Sequence, residues 1–292
     1  MNERGSLLEI HLAVLLFGVA GLFGKWLLIS PFVIVLGRVF FASLTLAFIL
    51  WFSGKTRSLL PGQDTLYFIL LGLILSIHWV SFFKSIQISS VAVGLLSFST
   101  YPVFTTFLEP LFTRQRIIKL NVLLSLICFS GVFLIVPRFD LNNSISIGVL
   151  WGVFSGLTFS VLTILNRKLT QIHSSLVIAF HQNFYATLFL APVLLVTSPS
   201  LTAKNISLLI ALGVICTALS HTLFIKGMTN IKAQTASLIH TLEPVYGIVF
   251  AFIFLKEVPS AKTLLGGTVV LFGQILIMCS YIQKKRRISR FL

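Results

Sequence analysis

Apolar residues recur along this chain in runs about as long as a bilayer is thick, with short polar connections between them. A membrane-spanning helix needs about 20 consecutive, mostly apolar residues. The ten runs that approach this length are residues 7–29, 32–52, 65–83, 91–112, 120–136, 147–165, 176–196, 206–225, 235–255 and 263–282. The pattern therefore predicts an all-α integral membrane protein with ten transmembrane helices.

Composition supports the same class of protein. Hydrophobic residues make up 57% of the 292 residues, charged residues make up 10%, and the mean hydropathy is +1.01. Soluble domains carry about 25% charged residues. Because so little of the chain is polar, most of its apolar surface must face lipid, and no segment is expected to form a soluble domain.

The net charge of +15 is distributed unevenly over the polar connections. With the N-terminus placed inside the cell, fifteen of the 22 Lys and Arg residues fall on the cytoplasmic side: Arg4, Lys55, Arg57, Arg114, Arg116, Lys119, Arg167, Lys168, Lys226, Lys232, Lys284, Lys285, Arg286, Arg287 and Arg290. The other seven are Lys25, Arg38, Lys84, Arg138, Lys204, Lys256 and Lys262. Positive residues favour the cytoplasmic side of a membrane, so we expect both termini to be cytoplasmic and the protein to lie in the cell inner membrane.

Several classes of partner are not expected. The basic sequence "KKRRISR" (284–290) is predicted to contact anionic lipid rather than nucleic acid, because no folded or aromatic surface accompanies it. Cys128, Cys216 and Cys279 lie in apolar runs without the spacing of a metal site. The phosphate-binding pattern G-x-x-x-x-G-K-[ST] does not occur. We therefore expect no cofactor and no metal.

A weak internal repeat relates the two halves of the chain. The segments "FFKSI" (82–86) and "FIKGM" (224–228) share a register at an offset of 226 − 84 = 142 residues. The same offset relates Pro102 to Pro244, Gly131 to Gly273 and Lys25 to Arg167. An offset of 184 − 40 = 144 aligns "RVFFA" (38–42) with "QNFYA" (182–186). These matches predict a duplication, with repeats at 1–140 and 141–292.

Each of the two repeats contains five predicted spans. Because five is an odd number, the second repeat must enter the membrane from the opposite side. Inverted repeats are typical of secondary transporters, whose binding site lies near the membrane midplane where the repeats meet. If the two halves exchange slightly different conformations, the opening moves from one side of the membrane to the other, so the repeats predict alternating access.

Four stretches carry a resemblance to a known family: "LLFGVAGLFGKWLL" (15–28), "GRVFFASLTLA" (37–47), "SSVAVGLLSFSTYPVF" (89–104) and "AQTASLIHTLEPVYGIVFAFIFLKEVPSAKTLLGGTVVLFG" (233–273). Over essentially its whole length the chain resembles the EamA-like family of the drug/metabolite transporter superfamily. The resemblance implies five plus five spans with both ends inside, and most often export of amino acids or related metabolites. Two features depart from the family pattern. Gln115 stands opposite Glu257, where the family usually has an acidic residue, and Phe17 replaces the usual tryptophan before Gly18.

Glu243 is the most informative polar residue, because an ionisable side chain in a membrane helix normally faces a cavity or a partner. It lies near the middle of the ninth predicted span. We predict that it binds a substrate amine or acts as a protonatable coupling group; the alternative is a protonated or paired carboxyl group that locks helices together. Its counterpart in the first repeat is Tyr101 (243 − 142 = 101), so the halves present different polar groups at equivalent depths.

Pro102 and Pro244 are predicted hinges. Each removes a backbone donor and perturbs the preceding turn, which frees the carbonyl groups of Phe98 and His240 to bind substrate or water in a cavity. The alternative is a static kink that helps the helices to pack.

Two basic residues lie in the outer halves of the first two spans. Lys25 either reaches outward to the membrane surface or faces a cavity. Arg38 lies deeper, about 8 Å into its span at helical rise, which favours a cavity-facing role and a carboxylate or phosphate on the substrate. Together with Glu243, Arg38 indicates a zwitterionic solute, unless the two residues pair directly.

Histidines and amides complete the set of candidates. His181 and Gln182 in the seventh predicted span are candidate substrate-binding residues. For His181 and His240, a proton relay and neutral packing are both open. His78 and His221 are predicted to be neutral packing residues.

The sequence thus predicts a secondary transporter, not an enzyme, that moves a small polar or zwitterionic metabolite such as an amino acid, with export the expected direction. Uptake or exchange of a nucleoside-type metabolite such as S-adenosylmethionine is the alternative within transport. An intramembrane enzyme and a passive channel are the alternatives from other classes. The expected partners are the small-molecule substrate and the lipid bilayer. The protein is expected to be a monomer, or a homodimer formed through the small residues of "GGTVVLFG" (266–273).

Overall fold

The computed structural model describes residues 3–55, 62–113, 119–135, 140, 142–199 and 201–288. Within these residues the chain forms helices and short connections, without a strand. The α-helices are α1 (Glu3–Ala20), α2 (Phe23–Trp26), α3 (Pro31–Phe52), α4 (Thr65–Ile88), α5 (Val91–Phe98), α6 (Tyr101–Thr113), α7 (Lys119–Ile135), α8 (Ser144–Leu169), α9 (Ser175–Leu190), α10 (Val193–Val196), α11 (Ala203–Gly213), α12 (Ser220–Gly227), α13 (Ala233–His240), α14 (Glu243–Leu255) and α15 (Ala261–Ile288). A π-helical turn, Val214–Leu219, joins α11 to α12.

In the described part of the chain, eight helical segments are long and apolar enough to cross a membrane: Glu3–Trp26, Pro31–Phe52, Thr65–Ile88, Val91–Phe112, Ser144–Leu169, Ser175–Val196, Ala203–Gly227 and Thr235–Leu255. Each overlaps one of the predicted spans. The fifth and tenth predicted spans fall on α7 and α15, whose apolar stretches, Val122–Ile135 and Ala261–Leu276, are shorter. Gln115 and five of the basic residues named above, Arg57, Arg114, Arg116, Arg138 and Arg290, lie outside the described residues. The fold is that of a multi-pass helical membrane protein.

Large apolar side chains cover the outer surface of the bundle. Phe48, Phe52 and Leu188 are each more than half exposed. An apolar surface of this extent marks an interaction site, and in a membrane protein its partner is the lipid acyl chain. The predicted lipid-facing surface is therefore present on the outside, and Arg38, His240 and Glu243 lie inside.

The inner faces of the helices pack in recurring pairs. Helix α4 lies along α8 and α9, helix α1 lies along α12 and α14, and α7 lies along α15. The backbones of α7 and α15 touch, because a Cβ atom on Gly131 would lie 2.7 Å from the Gly266 carbonyl oxygen. Gly267 packs against Leu96 of α5, and Gly273 packs against Cys128 of α7. The small residues predicted to form a dimer contact thus pack within the chain and give no support to a homodimer.

Two of the eight spans contain a non-helical break near the middle. Helix α5 ends at Phe98 and α6 begins at Tyr101, while α13 ends at His240 and α14 begins at Glu243. A proline is the second residue of each following helix, a position where its missing N–H group needs no partner. The two breaks are 240 − 98 = 142 residues apart. The predicted perturbation of the turn before each proline is present at both places.

Candidate functional site

A small cavity lies beside both helix breaks. Its lining residues come from α1, α3, α4, α5, α8, α12, α13 and α14: Phe17, Ala20, Arg38, His78, Trp79, Phe82, Phe98, Phe159, His221, His240 and Glu243. None of these residues is more than 7% exposed. In this conformation the cavity is therefore buried inside the helix bundle.

The cavity is too small for a metabolite in this conformation. The volume open to the centre of a water-sized sphere is about 20 Å³. A volume of about 10–15 Å³ on this measure holds one water molecule. Side chains and helices must therefore move apart before an amino acid or a larger solute can enter.

The acidic part of the wall is formed at the second helix break. His240 Nε2 lies 3.3 Å from Glu243 Oε2, but neither this oxygen nor His240 Nδ1 has a hydrogen-bond partner among the described residues. Within the described residues, no Lys or Arg nitrogen lies within 4.0 Å of the Glu243 carboxyl group. A buried polar group left without a partner costs about 1–3 kcal/mol. This part of the wall is therefore prepared to bind a polar ligand or water.

Arg38 forms the basic part of the wall. Its Nε donates to Thr217 Oγ1 at 3.0 Å, its Nη2 donates to the Cys216 carbonyl oxygen at 3.3 Å, and its Cζ lies 3.6 Å from the ring centre of Trp79. A guanidinium group has five N–H donors, so three of them make no hydrogen bond to a described residue. Arg38 faces the cavity as predicted, and it does not pair directly with Glu243.

Aromatic rings surround His240 on the rest of the wall. Phe159 stacks on its imidazole ring with the ring centres 5.0 Å apart. Phe17 and Phe98 approach the same ring edge-on, with centres 5.1 Å and 5.7 Å away. The faces of aromatic rings attract cations as well as apolar groups. The cavity thus suits a ligand that combines charged groups with an apolar or cationic body.

Two histidines that the sequence analysis predicts to be packing residues also line the cavity. The Nδ1 atom of His78 lies 2.9 Å from Ser155 Oγ and 3.0 Å from the Ser155 carbonyl oxygen. Trp79 lies beside His221, with the ring centres 5.5 Å apart. The sequence does hold a signal for both histidines, because 221 − 78 = 143 is within one residue of the repeat offset.

Two of the predicted site residues lie one layer behind the wall. The Tyr101 ring stacks on Phe98 with centres 5.1 Å apart, and its hydroxyl donates to the Ser237 carbonyl oxygen. Gln182 Nε2 lies 3.3 Å from His221 Nδ1. Substrate contact by Tyr101 or Gln182 stays a prediction, and it requires the wall to rearrange.

Two other predicted site residues lie further from the cavity. Lys25 Nζ donates to the carbonyl oxygens of Ser89 at 2.9 Å and Gln87 at 3.5 Å, near the ends of α2 and α4. His181 stacks on Phe68 with ring centres 4.5 Å apart. The structure therefore brings together Glu243, Arg38, His240 and Phe98, but not Lys25 or His181.

The backbone carbonyl groups freed by the prolines are not both open to the cavity. The Phe98 carbonyl oxygen packs against α8 at Gly156, where an added Cβ atom would lie only 2.8 Å from it. This carbonyl group is therefore covered by a neighbouring helix, and its predicted role in binding substrate requires α5 and α8 to separate.

Comparisons with known proteins place these features in a family. The profile of the EamA-like transporter family matches residues 5–136 and again residues 146–279. An uncharacterized transporter of Bacillus subtilis (strain 168) is 25% identical over 285 residues, which cover 95% of this chain and 90% of the relative. An S-adenosylmethionine uptake transporter of Rickettsia felis is 24% identical over 264 residues, covering 90% and 86%. These relatives are named as transporters, not as enzymes.

A solved crystal structure shares the fold. It superposes with a TM-score of 0.67 at 15% sequence identity, and the match covers 94% of this chain and 96% of the other. At this level of identity the likeness concerns the fold alone.

Proposed function

The chain belongs to the EamA-like transporter family, and from this premise we propose that it is a secondary transporter that moves a small zwitterionic metabolite, such as an amino acid, through the central cavity by alternating access. One observation carries the choice of substrate class. Arg38 and Glu243 line the same buried cavity without pairing with each other. A zwitterion supplies an oppositely charged partner to each of them.

Arg38 and Glu243 would each bind one end of such a substrate. The remaining N–H groups of Arg38 form a planar fork that fits a carboxylate in two-point contact. Glu243 and the nearby His240 accept or exchange protons with a substrate ammonium group. Because the cavity is buried and much of its lining is aromatic, both contacts would be stronger than in water.

We further propose that the chain consists of two inverted five-helix repeats, 1–140 and 141–292, with ten spans in all. The separate family match in each half and the equal spacing of the two helix breaks support the duplication. The packing of α1 on α12 and of α4 on α8 gives further support, because exchange of the halves converts one pair into the other. Such a design gives alternating access when the halves exchange conformations.

The proposed orientation places both termini in the cytoplasm of the cell inner membrane, and the proposed direction is export. The orientation is supported by the excess of Lys and Arg in the connections assigned to the cytoplasm. A protease added outside intact cells should therefore leave tags at both termini intact.

A second candidate substrate is S-adenosylmethionine, and two observations favour it. Trp79, Phe98 and Phe159 give the cavity aromatic faces, which attract a sulfonium cation and stack on an adenine ring. The name of the Rickettsia felis relative adds weight. The methionine part of this molecule would use Arg38 and Glu243 in the same way as an amino acid.

Counterflow in liposomes tests the transporter and its substrate class. Purified protein is reconstituted into vesicles loaded with an unlabelled amino acid or S-adenosylmethionine, and uptake of the labelled solute is followed. A carrier gives saturable, transient accumulation of at least one solute, whereas a channel gives unsaturable leakage.

The variant Glu243→Gln tests the site in the same assay. It keeps the size of the side chain and removes its charge, so we expect counterflow to be lost while the purified protein remains folded. Glu3→Gln, at the start of α1 and outside the cavity, is the matched control and should transport normally. Normal rates in Glu243→Gln would rule out a ligand or coupling role for this carboxyl group.

A further inference from the structure

The π-helical turn Val214–Leu219 interrupts the eighth predicted span next to the cavity. π-Helices are rare and usually mark functional positions in a helix. This turn lies directly against Arg38, since both hydrogen bonds that the guanidinium group makes to described residues end on it. Its role is therefore tied to the placement of that charge.

Hydrogen bonding within the turn fixes the direction of the Thr217 hydroxyl group. Thr217 Oγ1 donates its only proton to the Leu212 carbonyl oxygen at 2.7 Å, five residues earlier. Its lone pairs are therefore left to accept from Arg38 Nε at 3.0 Å. A hydroxyl group held in this way is an acceptor only, which suits a guanidinium donor.

The backbone of the turn comes close to Arg38 because of a glycine. Gly213 precedes the turn, and a Cβ atom on it would lie 2.9 Å from the Arg38 carbonyl oxygen and 2.6 Å from Phe41 Cβ. Helices α3 and α11 therefore pack in backbone contact at this level. The Cys216 carbonyl oxygen then reaches Arg38 Nη2 at 3.3 Å.

A third contact to the guanidinium group comes from Trp79 of α4. The Arg38 Cζ atom lies 3.6 Å from the Trp79 ring centre, a short contact that favours stacking of the flat group on the indole face. The turn and Trp79 thus hold Arg38 from two helices, and neither contact uses a carboxylate.

We propose that Thr217 and the π-helical turn are positioning elements that hold the Arg38 guanidinium group away from Glu243, so that both charges stay available to the substrate. Two opposite charges in a buried cavity attract strongly, and without this cradle Arg38 would turn toward the carboxyl group and close the site. Thr217 thereby sets the preference for a substrate carboxylate. The substrate part of this inference rests on the proposed function, while the cradle itself does not.

Fluorescence of Trp79 tests the cradle without any ligand. The background protein keeps Trp79 as its only tryptophan, through exchange of three others to Phe: Trp26, Trp51 and Trp151. In this background Thr217→Val, which keeps the shape but removes the acceptor, should change the emission of Trp79 because the cation leaves the ring. Thr217→Ser keeps the hydroxyl group and should restore the parent spectrum.

A second background protein distinguishes movement of the Arg38 cation from a general structural effect of Thr217→Val on the Trp79 emission. When Arg38→Gln is already present, Thr217→Val should leave the emission unchanged, because no cation remains to move. Identical spectra of the parent and Thr217→Val, or an equal change in both backgrounds, would overturn the cradle.

Binding of L-methionine and L-methioninamide tests the consequence for the substrate. Thr217→Val should weaken binding of L-methionine about tenfold or more, the effect of one hydrogen bond to a charged group, and should leave L-methioninamide unchanged because it lacks the carboxylate. Equal weakening of both ligands would overturn the carboxylate role of Thr217. If the parent protein binds neither ligand, the zwitterion assignment fails, and the fluorescence result alone decides the cradle.

Discussion

Glu243 stands directly before Pro244 because the start of a helix suits both residues. The first N–H groups of α14 have no partner within the helix, and together they form the positive end of its dipole, which stabilises a negative charge. Proline has no N–H group to leave unpaired and fits the same turn. The helix break thus creates an anion-favouring position among apolar spans. At the equivalent position of the first half, α6 begins with Tyr101, a neutral residue.

The exchange Tyr101→Phe distinguishes a structural hydroxyl group from a substrate contact. It keeps the stacking on Phe98 but removes the donor to the Ser237 carbonyl oxygen. Loss of one buried hydrogen bond should lower the free energy of unfolding by about 1 kcal/mol, while the KM of transport stays unchanged because Tyr101 does not line the cavity.

Thermal unfolding in detergent and counterflow in liposomes measure the two effects. Tyr67→Phe, on the half-exposed outer side of α4, is the matched control and should change neither quantity. A raised KM in Tyr101→Phe would show instead that the hydroxyl group reaches the substrate.

The parts of the site that the sequence predicts are those with local signals. Span length, the two prolines, Arg38 and Glu243 are visible because charges and prolines are rare in apolar runs. Trp79 and Phe159 carry no such signal. Aromatic residues are common in this chain, which has 28 phenylalanines, and the rotation of each helix in the packed bundle determines which of the rings face the cavity. The π-helical turn also depends on packing, because the contact of Gly213 with α3 forms only in the folded chain.

At the level of elements, the hydrogen bonding of the second helix break, between α13 and α14, allows this segment to bend. The turn between α13 and α14 is closed by short-range bonds, from Thr241 N to the Leu238 carbonyl oxygen at 3.2 Å and from Leu242 N to the Ile239 carbonyl oxygen at 3.1 Å. These bonds span three residues, and such turns are less favourable than α-helical ones. The half-helices on either side can therefore tilt with little loss of hydrogen bonding.

Joining α13 and α14 into one continuous helix should stabilise the folded protein and lower its transport rate. In Pro244→Ala the new N–H group can bond to the His240 carbonyl oxygen, which joins α13 to α14, and proline no longer disfavours the helix. We expect a higher unfolding temperature and a lower maximal rate of counterflow, because the hinge must bend in each cycle.

Pro110→Ala is the matched control for this change. Pro110 lies inside α6 and does not line the cavity, so its replacement should stabilise the helix without slowing transport. A maximal rate that is unchanged in Pro244→Ala would mean that the break is a static kink.

At the level of the whole molecule, equivalent hydrogen bonds close the two ends of the bundle. At the predicted extracellular end Lys25 donates to the Gln87 carbonyl oxygen at 3.5 Å, and at the predicted cytoplasmic end Arg167 donates to the Thr229 carbonyl oxygen at 3.3 Å. The residues correspond through the repeat offset, since 167 − 25 = 142 and 229 − 87 = 142. A carrier that works by alternating access must break one of these bonds in each half of its cycle.

The contacts that close the two ends of the helix bundle differ in strength. At the predicted extracellular end the Glu257 carboxyl group accepts from the Val91 and Ala92 N–H groups, each at 3.2 Å, and so caps α5. The predicted cytoplasmic end has an ion pair between Lys226 and Glu9 at 2.6 Å, but the lysine is 45% exposed. Exposed ion pairs contribute about 0–1 kcal/mol, whereas a carboxylate on two helix N-terminal donors contributes more. We therefore expect the resting carrier to open first toward the cytoplasm.

Labelling of a cysteine placed in the cavity tests this order of opening. The reporter is Ala20→Cys, in a protein whose three native cysteines are replaced by alanine. A membrane-impermeant maleimide should label the parent faster in inside-out vesicles than in intact cells. Because Glu257→Gln weakens the cap on α5, it should raise labelling from outside, and Arg167→Gln should raise labelling from inside. Lys204→Gln, at the exposed start of α11 on the predicted extracellular side, should change neither rate. If Glu257→Gln and Arg167→Gln shift the labelling in the same direction, the two closures do not act as opposite gates.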